Sequence, residues 1–261
     1  MSQNDSTANA PILLIDSGSG GYSILNAIHA HLGRLPFSYI ADYAGQPYGL
    51  KSADELIERV VGLVKDAMLV REHSAIVVAC NTASTVCLPA LRAEVDVPVV
   101  GVVPAIKPAC EQFPSGRVLL LATPATVKGE YLDRLIAEFG AQCEVDRFGS
   151  AELVELAERW LRGESVDAEV ATLIDRNALS GYDAVVLGCT HFPLLGDIFH
   201  QHWPTTQLVD SASAIARRLG TLLSGDYGAA DSIIYETVSK ATPDRVRGWY
   251  PEARVIDWSE V

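Results

Sequence analysis

Short, continuous apolar segments alternate along the first half of the chain with longer segments in which apolar residues recur at helical spacing. The apolar segments, which predict buried strands, are residues 11–15, 37–41, 75–79 and 97–102. The segments with helical spacing, which predict helices, are residues 22–31, 53–71 and 85–94. Apolar strands without polar alternation are typical of a parallel sheet that helices cover on both faces. The pattern therefore predicts an α/β fold.

The second half of the chain repeats this order of elements. The predicted elements there are a strand at 117–121, a helix at 127–139, a strand at 184–187 and a helix at 211–223. Leu14 and Leu121 are separated by nearly as many residues as Cys80 and Cys189, which indicates two related α/β halves. Residues 231–261 have a less regular pattern, and we expect them to pack against the first half.

Composition and charge narrow the range of partners. The chain has 261 residues, 49% of them hydrophobic, which is enough to form a sizeable core. Its 20 Lys and Arg against 33 Asp and Glu give a net charge of −13. A protein that binds the phosphate backbone of a nucleic acid needs clustered positive charge. No apolar run is long enough to span a membrane, and residues 1–10 lack the order of a signal peptide. We therefore expect a cytoplasmic protein without a nucleic-acid or membrane partner.

The five cysteines include no CxxC pair, and no set of cysteines and histidines has the spacing of zinc ligands. We therefore expect no metal site. Because disulfides are rare in the reducing cytosol, we also expect no disulfide framework. Cys87, Cys110 and Cys143 are expected to be buried as small hydrophobic side chains.

Polar side chains follow four of the predicted strands. They are Asp16–Ser17, Cys80–Thr82, Thr123–Thr126 and Cys189–His191. Active sites of open α/β sheets lie beyond the carboxyl ends of the strands, so these residues are the candidates for chemistry. A single buried cysteine often only fills space, but two cysteines at the ends of equivalent strands favour a function. The turn at Gly18–Gly21 does not match GxGxxG, so we expect no dinucleotide cofactor.

Two thiols suit a reaction that inverts a stereocentre. One thiolate removes a proton from one face of a carbon atom, and the other thiol returns a proton to the opposite face. Asp16, His191 and a further carboxylate are placed to assist these proton transfers. The neighbouring Ser, Asn and Thr side chains offer hydrogen bonds to the carboxylates of an amino acid.

At these residues the sequence resembles the glutamate racemases, within the cofactor-independent aspartate/glutamate racemase superfamily. The matching segments are IDSGSGGYSIL, ADYAGQPYGLKS, VVACNTAST, VPVVGVVPA, LLATPATVKGEYLDRL, VVLGCTHFPLL and LVDSASAIARRL, over residues 11–223. The resemblance implies two pseudo-symmetric α/β domains with mainly parallel sheets that face a central cleft. It places the first domain at residues 1–101 with 209–261 and the second at residues 102–208.

The resemblance also implies a role for each residue of the site. Cys80 would act on D-glutamate and Cys189 on L-glutamate, with Asp16 and His191 as auxiliary acid/base groups. Glu158 takes the place of a family glutamate near the second thiol. The residues expected to bind substrate are Asp16, Ser17, Tyr48, Gly49, Asn81, Thr82, Thr123, Thr126, Thr190 and His191.

The expected function is therefore the interconversion of L- and D-glutamate by a 1,1-proton transfer between two thiols, which supplies D-glutamate for peptidoglycan. The resemblance implies no pyridoxal phosphate, nucleotide or metal cofactor. Glutamate is the expected small-molecule partner, and a homodimer is the candidate assembly. Three alternatives stay open: a racemase of aspartate or another acidic amino acid, a thiol hydrolase or lyase that uses one cysteine, and a non-enzymatic ligand-binding relative.

Overall fold

The computed structural model describes residues 10–223, 230–239 and 241–261, so most of the N-terminal segment 1–10 discussed above lies outside the described residues. The described chain divides into two compact units. Unit 1 takes the residues up to Val102 and those from Ala212 onward, and unit 2 takes Val103–Ser211. No helix in the described part of the chain is long and apolar enough to cross a membrane.

Unit 1 is built on a six-stranded sheet. Its strands are β1 (Ile12–Asp16), β2 (Phe37–Ala41), β3 (Ala75–Val78), β4 (Val99–Gly101), β9 (Ile233–Glu236) and β10 (Arg254–Asp257), and its helices are α1 (Tyr22–Leu32), α2 (Ala53–Val70), α3 (Asn81–Glu94), α10 (Ala212–Leu222) and α11 (Asp244–Trp249). The strand order is β10-β9-β2-β1-β3-β4, and every pairing is parallel. The strands β1, β2 and β3 are buried along their whole length, as the continuous apolar segments predict.

Unit 2 is built on a four-stranded sheet. Its strands are β5 (Arg117–Ala122), β6 (Glu144–Gly149), β7 (Ala184–Leu187) and β8 (Gln207–Val209), and its helices are α4 (Ile106–Gln112), α5 (Pro124–Lys128), α6 (Glu130–Phe139), α7 (Glu152–Leu161), α8 (Asp167–Arg176) and α9 (Gly196–His202). The strand order is β6-β5-β7-β8, and every pairing is again parallel. The predicted α/β class is therefore confirmed.

The two sheets share one arrangement of strands. The order β2-β1-β3-β4 in unit 1 has the same sequence of crossovers as β6-β5-β7-β8 in unit 2. Ile15 pairs with Val78, and Leu121 pairs with Leu187, so Ile15 is the position equivalent to Leu121. The predicted match of Leu14 with Leu121 is therefore wrong by one residue, since short apolar strands do not reveal their register.

Three other sequence predictions differ from the structure. The helix predicted at 127–139 is two helices, α5 and α6, which meet at Gly129. Residues 231–261 are more regular than predicted: β9 pairs with β2, which confirms that this segment packs against the first half. A disulfide joins Cys110 to Cys143, with 5.7 Å between their Cα atoms. The expectation that these two cysteines are unpaired core residues is therefore wrong, because residues far apart in sequence meet through the packing of unit 2.

Candidate active site

Asp16 is the last residue of the central strand β1, and it is completely buried. Its Oδ2 accepts a hydrogen bond of 3.2 Å from the N–H of Gly18. A Cβ atom on Gly21 would lie 2.8 Å from Asp16 Cβ and 3.1 Å from Ala79 Cβ, so only glycine fits there. The glycine turn that follows β1 therefore holds Asp16 in place. Ser17 is partly exposed at the same strand end.

Cys80 lies two residues after the end of β3 and directly precedes α3. Its side chain is 7% exposed, and its carbonyl oxygen accepts a hydrogen bond from Ser84 N–H. Ser84 Oγ donates to the carbonyl of Val78 and accepts from Val102 N–H, both at 2.9 Å, so the start of the helix is fixed against the sheet. The N-terminal end of a helix stabilises negative charge, which suits a thiolate at Cys80.

The first two residues of α3 add polar groups beside this thiol. Asn81 is 5% exposed, and its Oδ1 atom is buried without a hydrogen-bond partner in the described part of the chain. Thr82, the next residue, is partly exposed. A buried amide oxygen without a partner is costly, so Asn81 Oδ1 is prepared to accept a hydrogen bond from a bound molecule.

Tyr48 opens a short 3-10 helix, Tyr48–Leu50, and its side chain is 3% exposed. It packs in the same apolar cluster as Cys80, and its hydroxyl donates a 2.8 Å hydrogen bond to Asp42 Oδ2. Burial raises the pKa of Tyr48 far above its usual value, and the charges of Asp42, Cys80 and Asp16 raise it further. Tyr48 is therefore a neutral hydrogen-bond donor. Its neighbour Gly49 is exposed.

Cys189 lies two residues after the end of β7, as Cys80 does after β3, and it is also 7% exposed. Its Sγ atom is 3.8 Å from His191 Nδ1. His191 Nε2 lies 2.9 Å from Glu158 Oε1, and the imidazole is 2% exposed. Glu158 Oε2 lies 3.7 Å from Arg162 on the surface of α7. The sequence-predicted residues Cys189, His191 and Glu158 therefore form one connected, buried chain.

The charges around His191 are unusual for a buried imidazole. Burial lowers the pKa of His191, but the hydrogen bonds and charges of Cys189 and Glu158 outweigh burial and hold it well above its usual value of 6.5. The surroundings of His191 therefore favour the protonated imidazole. A protonated His191 is able to stabilise the Cys189 thiolate or to return a proton to it.

The remaining predicted residues of unit 2 lie at two strand ends. Thr123 caps the start of α5: its Oγ1 accepts a 3.3 Å hydrogen bond from Thr126 N–H, and the two hydroxyls are 3.0 Å apart. Both threonines are partly exposed, so their hydroxyls are available to a ligand. Thr190 lies between Cys189 and His191 and is 5% exposed.

Sequence reasoning missed three residues that hold the predicted ones. Asp42, which follows β2, is completely buried and binds Tyr48, Arg59 and Thr237. A polar residue directly after a buried strand is a signal that would have identified Asp42. Arg59 looks like any other charge on the exposed face of α2, and Thr237 follows a strand that was not predicted. No cluster of three or more His, Cys, Asp or Glu side chains suited to a metal ion occurs among the described residues.

Residues 24–219 of the chain match the Asp/Glu/Hydantoin racemase family. The chain is 49% identical over 227 residues to a glutamate racemase of Proteus mirabilis (strain HI4320), over 85% of this chain and 79% of the relative. A glutamate racemase of Escherichia coli O139:H28 is 48% identical over 225 residues, with the same coverage.

Among solved structures, Escherichia coli glutamate racemase in complex with L-glutamate and the activator UDP-MurNAc-ala is similar to this chain with a TM-score of 0.88 and 42% identity. The similarity covers 95% of this chain and 97% of that chain. Because the match in sequence includes both cysteine-bearing strand ends and most of the length, the chain belongs to the Asp/Glu/Hydantoin racemase family.

Proposed function

We propose that this chain is a glutamate racemase that interconverts L- and D-glutamate without a cofactor. One observation carries the proposal: two sheets of the same topology each place a buried cysteine two residues beyond an equivalent strand, and each cysteine has acid/base side chains nearby in its own unit. The high identity to glutamate racemases supports glutamate as the substrate. The product, D-glutamate, is used in peptidoglycan, and the reaction belongs in the cytoplasm.

In the proposed reaction the substrate loses one proton and gains another in each turnover. The thiolate of Cys189 takes the α-proton of L-glutamate, and the electron pair of the broken C–H bond remains on the substrate as a carbanion. The thiol of Cys80 then gives its proton to the opposite face of that carbon, which yields D-glutamate. Each turnover therefore leaves Cys189 protonated and Cys80 ionised. Proton exchange with solvent, through His191 and Asp16, restores the first state before the next L-glutamate reacts.

The neighbouring residues have auxiliary roles in this proposal. Asp16 assists Cys80, while His191 assists Cys189 and Glu158 keeps His191 protonated. The substrate's carboxylates and ammonium group are bound by Asp16, Ser17, Tyr48, Gly49, Asn81, Thr82, Thr123, Thr126, Thr190 and His191. The assembly that we propose is a homodimer.

A pair of incubations in D2O tests the proposal, one with L-glutamate and one with L-aspartate, without added cofactor. Circular dichroism follows racemisation, and NMR follows the entry of deuterium at the α-carbon. Loss of optical activity together with the entry of deuterium into glutamate supports the proposal. If aspartate alone reacts, the mechanism stands but the substrate is aspartate. If neither amino acid exchanges in the presence of folded, reduced protein, the racemase function is rejected in favour of binding or hydrolysis.

We also propose that a pocket in unit 1 binds an anionic effector of the kind found in the Escherichia coli structure. The pocket has a volume of about 550 Å³ and lies between the edge strand β4 and α10. Arg92 and Arg218 line it, with Asp96 as the neighbouring acid, and a guanidinium group is well suited to the diphosphate of a UDP compound.

The effector proposal is tested by adding UDP-MurNAc-ala to the wild type and to an Arg92→Ala variant. We expect activation of the wild type and loss of that activation in the variant, while the basal rate stays unchanged because Arg92 has no part in the proposed proton transfer. Equal activation of both proteins would place the effector elsewhere.

A further inference from the structure

A single carboxylate joins three separate segments of unit 1. Asp42, which follows β2, is completely buried. It accepts five hydrogen bonds, from Gly45 N–H, the Tyr48 hydroxyl, Nε and Nη2 of Arg59, and the Thr237 hydroxyl. The two bonds from Arg59 are 2.5 Å long and form a bidentate ion pair. A buried carboxylate is stable only when it is paired and hydrogen-bonded in this way.

Thr237 makes the C-terminal part of the chain a component of this arrangement. It follows β9, about two hundred residues from Asp42 in sequence, yet its hydroxyl donates to Asp42 Oδ1 at 2.9 Å. The same hydroxyl oxygen accepts a 2.8 Å hydrogen bond from Ala44 N–H. Thr237 therefore fixes both the carboxylate and the backbone of the loop that leads to Tyr48.

The loop held in this way carries two proposed substrate contacts. Residues 43–50 contain only two single-turn 3-10 segments, Tyr43–Gly45 and Tyr48–Leu50, so regular secondary structure does little to fix their position. The Tyr48 side chain packs in the apolar cluster that includes Cys80, and its hydroxyl is directed at Asp42. Asp42 therefore determines where Tyr48 and Gly49 lie beside the thiol.

We infer that Asp42, Arg59 and Thr237 are positioning residues, which hold the Tyr48–Gly49 turn in the geometry that binds the substrate's carboxylate. The inference rests on the proposed function, because it assigns a role within the same site. It also gives the C-terminal segment, through Thr237, a part in substrate binding. Asp42 and Arg59 form a neutral pair, so the effect is one of placement and not of net charge.

The decisive variants are Thr237→Val and Thr237→Ser. Valine keeps the shape but loses the hydroxyl, whereas serine keeps both the donor to Asp42 and the acceptor for Ala44. We expect Thr237→Val to raise the KM for L- and D-glutamate by about tenfold, with kcat changed by less than about threefold, which corresponds to one lost hydrogen bond to a charged group. Thr237→Ser should restore the wild-type KM.

The matched control is Thr206→Val in unit 2, because Thr206 is also partly buried and its hydroxyl donates a 2.9 Å hydrogen bond, to the carbonyl of Tyr182. The control should leave KM unchanged. Amide hydrogen exchange provides a readout that does not depend on activity: residues 42–50 should exchange faster in Thr237→Val, with β1 and β3 unaffected. If Thr237→Val does not fold, Arg59→Lys replaces it, because lysine cannot form the bidentate pair.

The outcomes separate this inference from the proposed function. If the wild type does not racemise glutamate, the proposed function fails, and hydrogen exchange alone still tests whether Thr237 holds the loop. If the wild type is active and Thr237→Val has wild-type KM and kcat, the inference is overturned. Faster exchange at residues 42–50 with unchanged KM would also overturn it, because Thr237 would then be a structural residue only.

Discussion

The surroundings of Cys80 in unit 1 differ from those of Cys189 in unit 2, although the two sheets place both residues at equivalent positions. Both cysteines are 7% exposed. Cys80 lies two residues beyond β3, and Cys189 lies two residues beyond the equivalent strand β7. Cys80 directly precedes the 14-residue helix α3, whereas Cys189 is followed by His191 and a short 3-10 turn. The common fold therefore fixes where the thiols lie, and local sequence fixes what surrounds them.

In the proposed mechanism, the two halves therefore stabilise a thiolate by different physical means. In unit 1 the amide groups at the start of α3 provide partial positive charge, and Asp16 and the neutral Tyr48 are among the ionisable groups nearby. In unit 2 the imidazole of His191 lies beside the sulfur, and its contacts with Cys189 and Glu158 raise its pKa. One reaction that runs in both directions can therefore use two unlike acid/base groups.

The largest expected effect comes from removing either thiol. Cys80→Ser and Cys189→Ser should each reduce racemisation by about 10²–10⁴-fold, the usual contribution of a general acid/base group. Each variant keeps one working thiol, so it should still eliminate a good leaving group from a suitable analogue of one enantiomer only. Circular dichroism and product analysis measure the two reactions.

Cys87→Ala is the control for these variants. Cys87 is buried in the core of unit 1, and burial raises the pKa of its thiol to about 12, so it does not take part in proton transfer at neutral pH. Its replacement should leave racemisation intact. Full racemisation by Cys80→Ser or Cys189→Ser would contradict the two-thiol mechanism and the equivalence of the two units.

The next largest effect is expected at the His191–Glu158 pair beside Cys189. Glu158→Gln should lower kcat/KM by about 10–100-fold, because the imidazole loses the carboxylate that keeps it charged. The enantiomers have equal free energy in water, so kcat/KM must fall equally in both directions. The asymmetry should appear in the α-deuterium isotope effect, which should rise with L-glutamate and fall with D-glutamate. Equal changes with both enantiomers would show that the pair does not serve Cys189 alone.

The same pair predicts a pH dependence of stability. The pKa of His191 is raised in the folded protein above its usual value of 6.5, so proton binding favours the folded state. This stabilisation is complete below about pH 6.5 and is lost as the pH rises through the raised pKa. Urea unfolding between about pH 6 and pH 9 should therefore show a larger loss of stability for the wild type than for Glu158→Gln. Parallel curves would mean that Glu158 does not contribute to the raised pKa of His191.

The sequence predicted the strands of the two thiol-bearing sheets more accurately than it predicted the side-chain contacts around the thiols. Continuous apolar segments were sufficient for β1, β2, β3, β5 and β7, because burial on both faces leaves a clear signal. By contrast, β6 consists only of exposed and partly buried residues, and β9 lies in a segment of mixed pattern. The partners of Asp42, which include Tyr48, depend on tertiary packing between α2 and the residues that follow β2 and β9, which periodicity does not encode.

A smaller effect is expected from Gly21, which packs against Asp16 in unit 1. In Gly21→Ala the added Cβ atom would meet Tyr39 Oη at 2.6 Å and Asp16 Cβ at 2.8 Å. We expect a loss of about 1–3 kcal/mol in unfolding free energy and a lower kcat, because Asp16 must shift. Gly62→Ala is the control, since nothing lies within 4 Å of the new Cβ on α2 and helix propensity favours alanine by about 0.5–1 kcal/mol. Equal stability and activity of the two variants would show that the turn adapts and does not fix Asp16.

The smallest effect on catalysis is expected from the disulfide between Cys110 and Cys143, which lies in unit 2. It closes a segment of 33 residues, and a cross-link of that length stabilises a folded chain by about 3–4 kcal/mol in the chain-entropy treatment. Cys110→Ser should therefore lower the unfolding free energy while leaving kcat and KM unchanged, since Cys110 and Cys143 pack in a different apolar cluster from Cys189. A thiol titration of the denatured wild type should find three thiols before reduction and all five cysteines afterwards. Five thiols before reduction would show that the bond does not form in solution, and unit 2 would then be held by its packing alone, as unit 1 is.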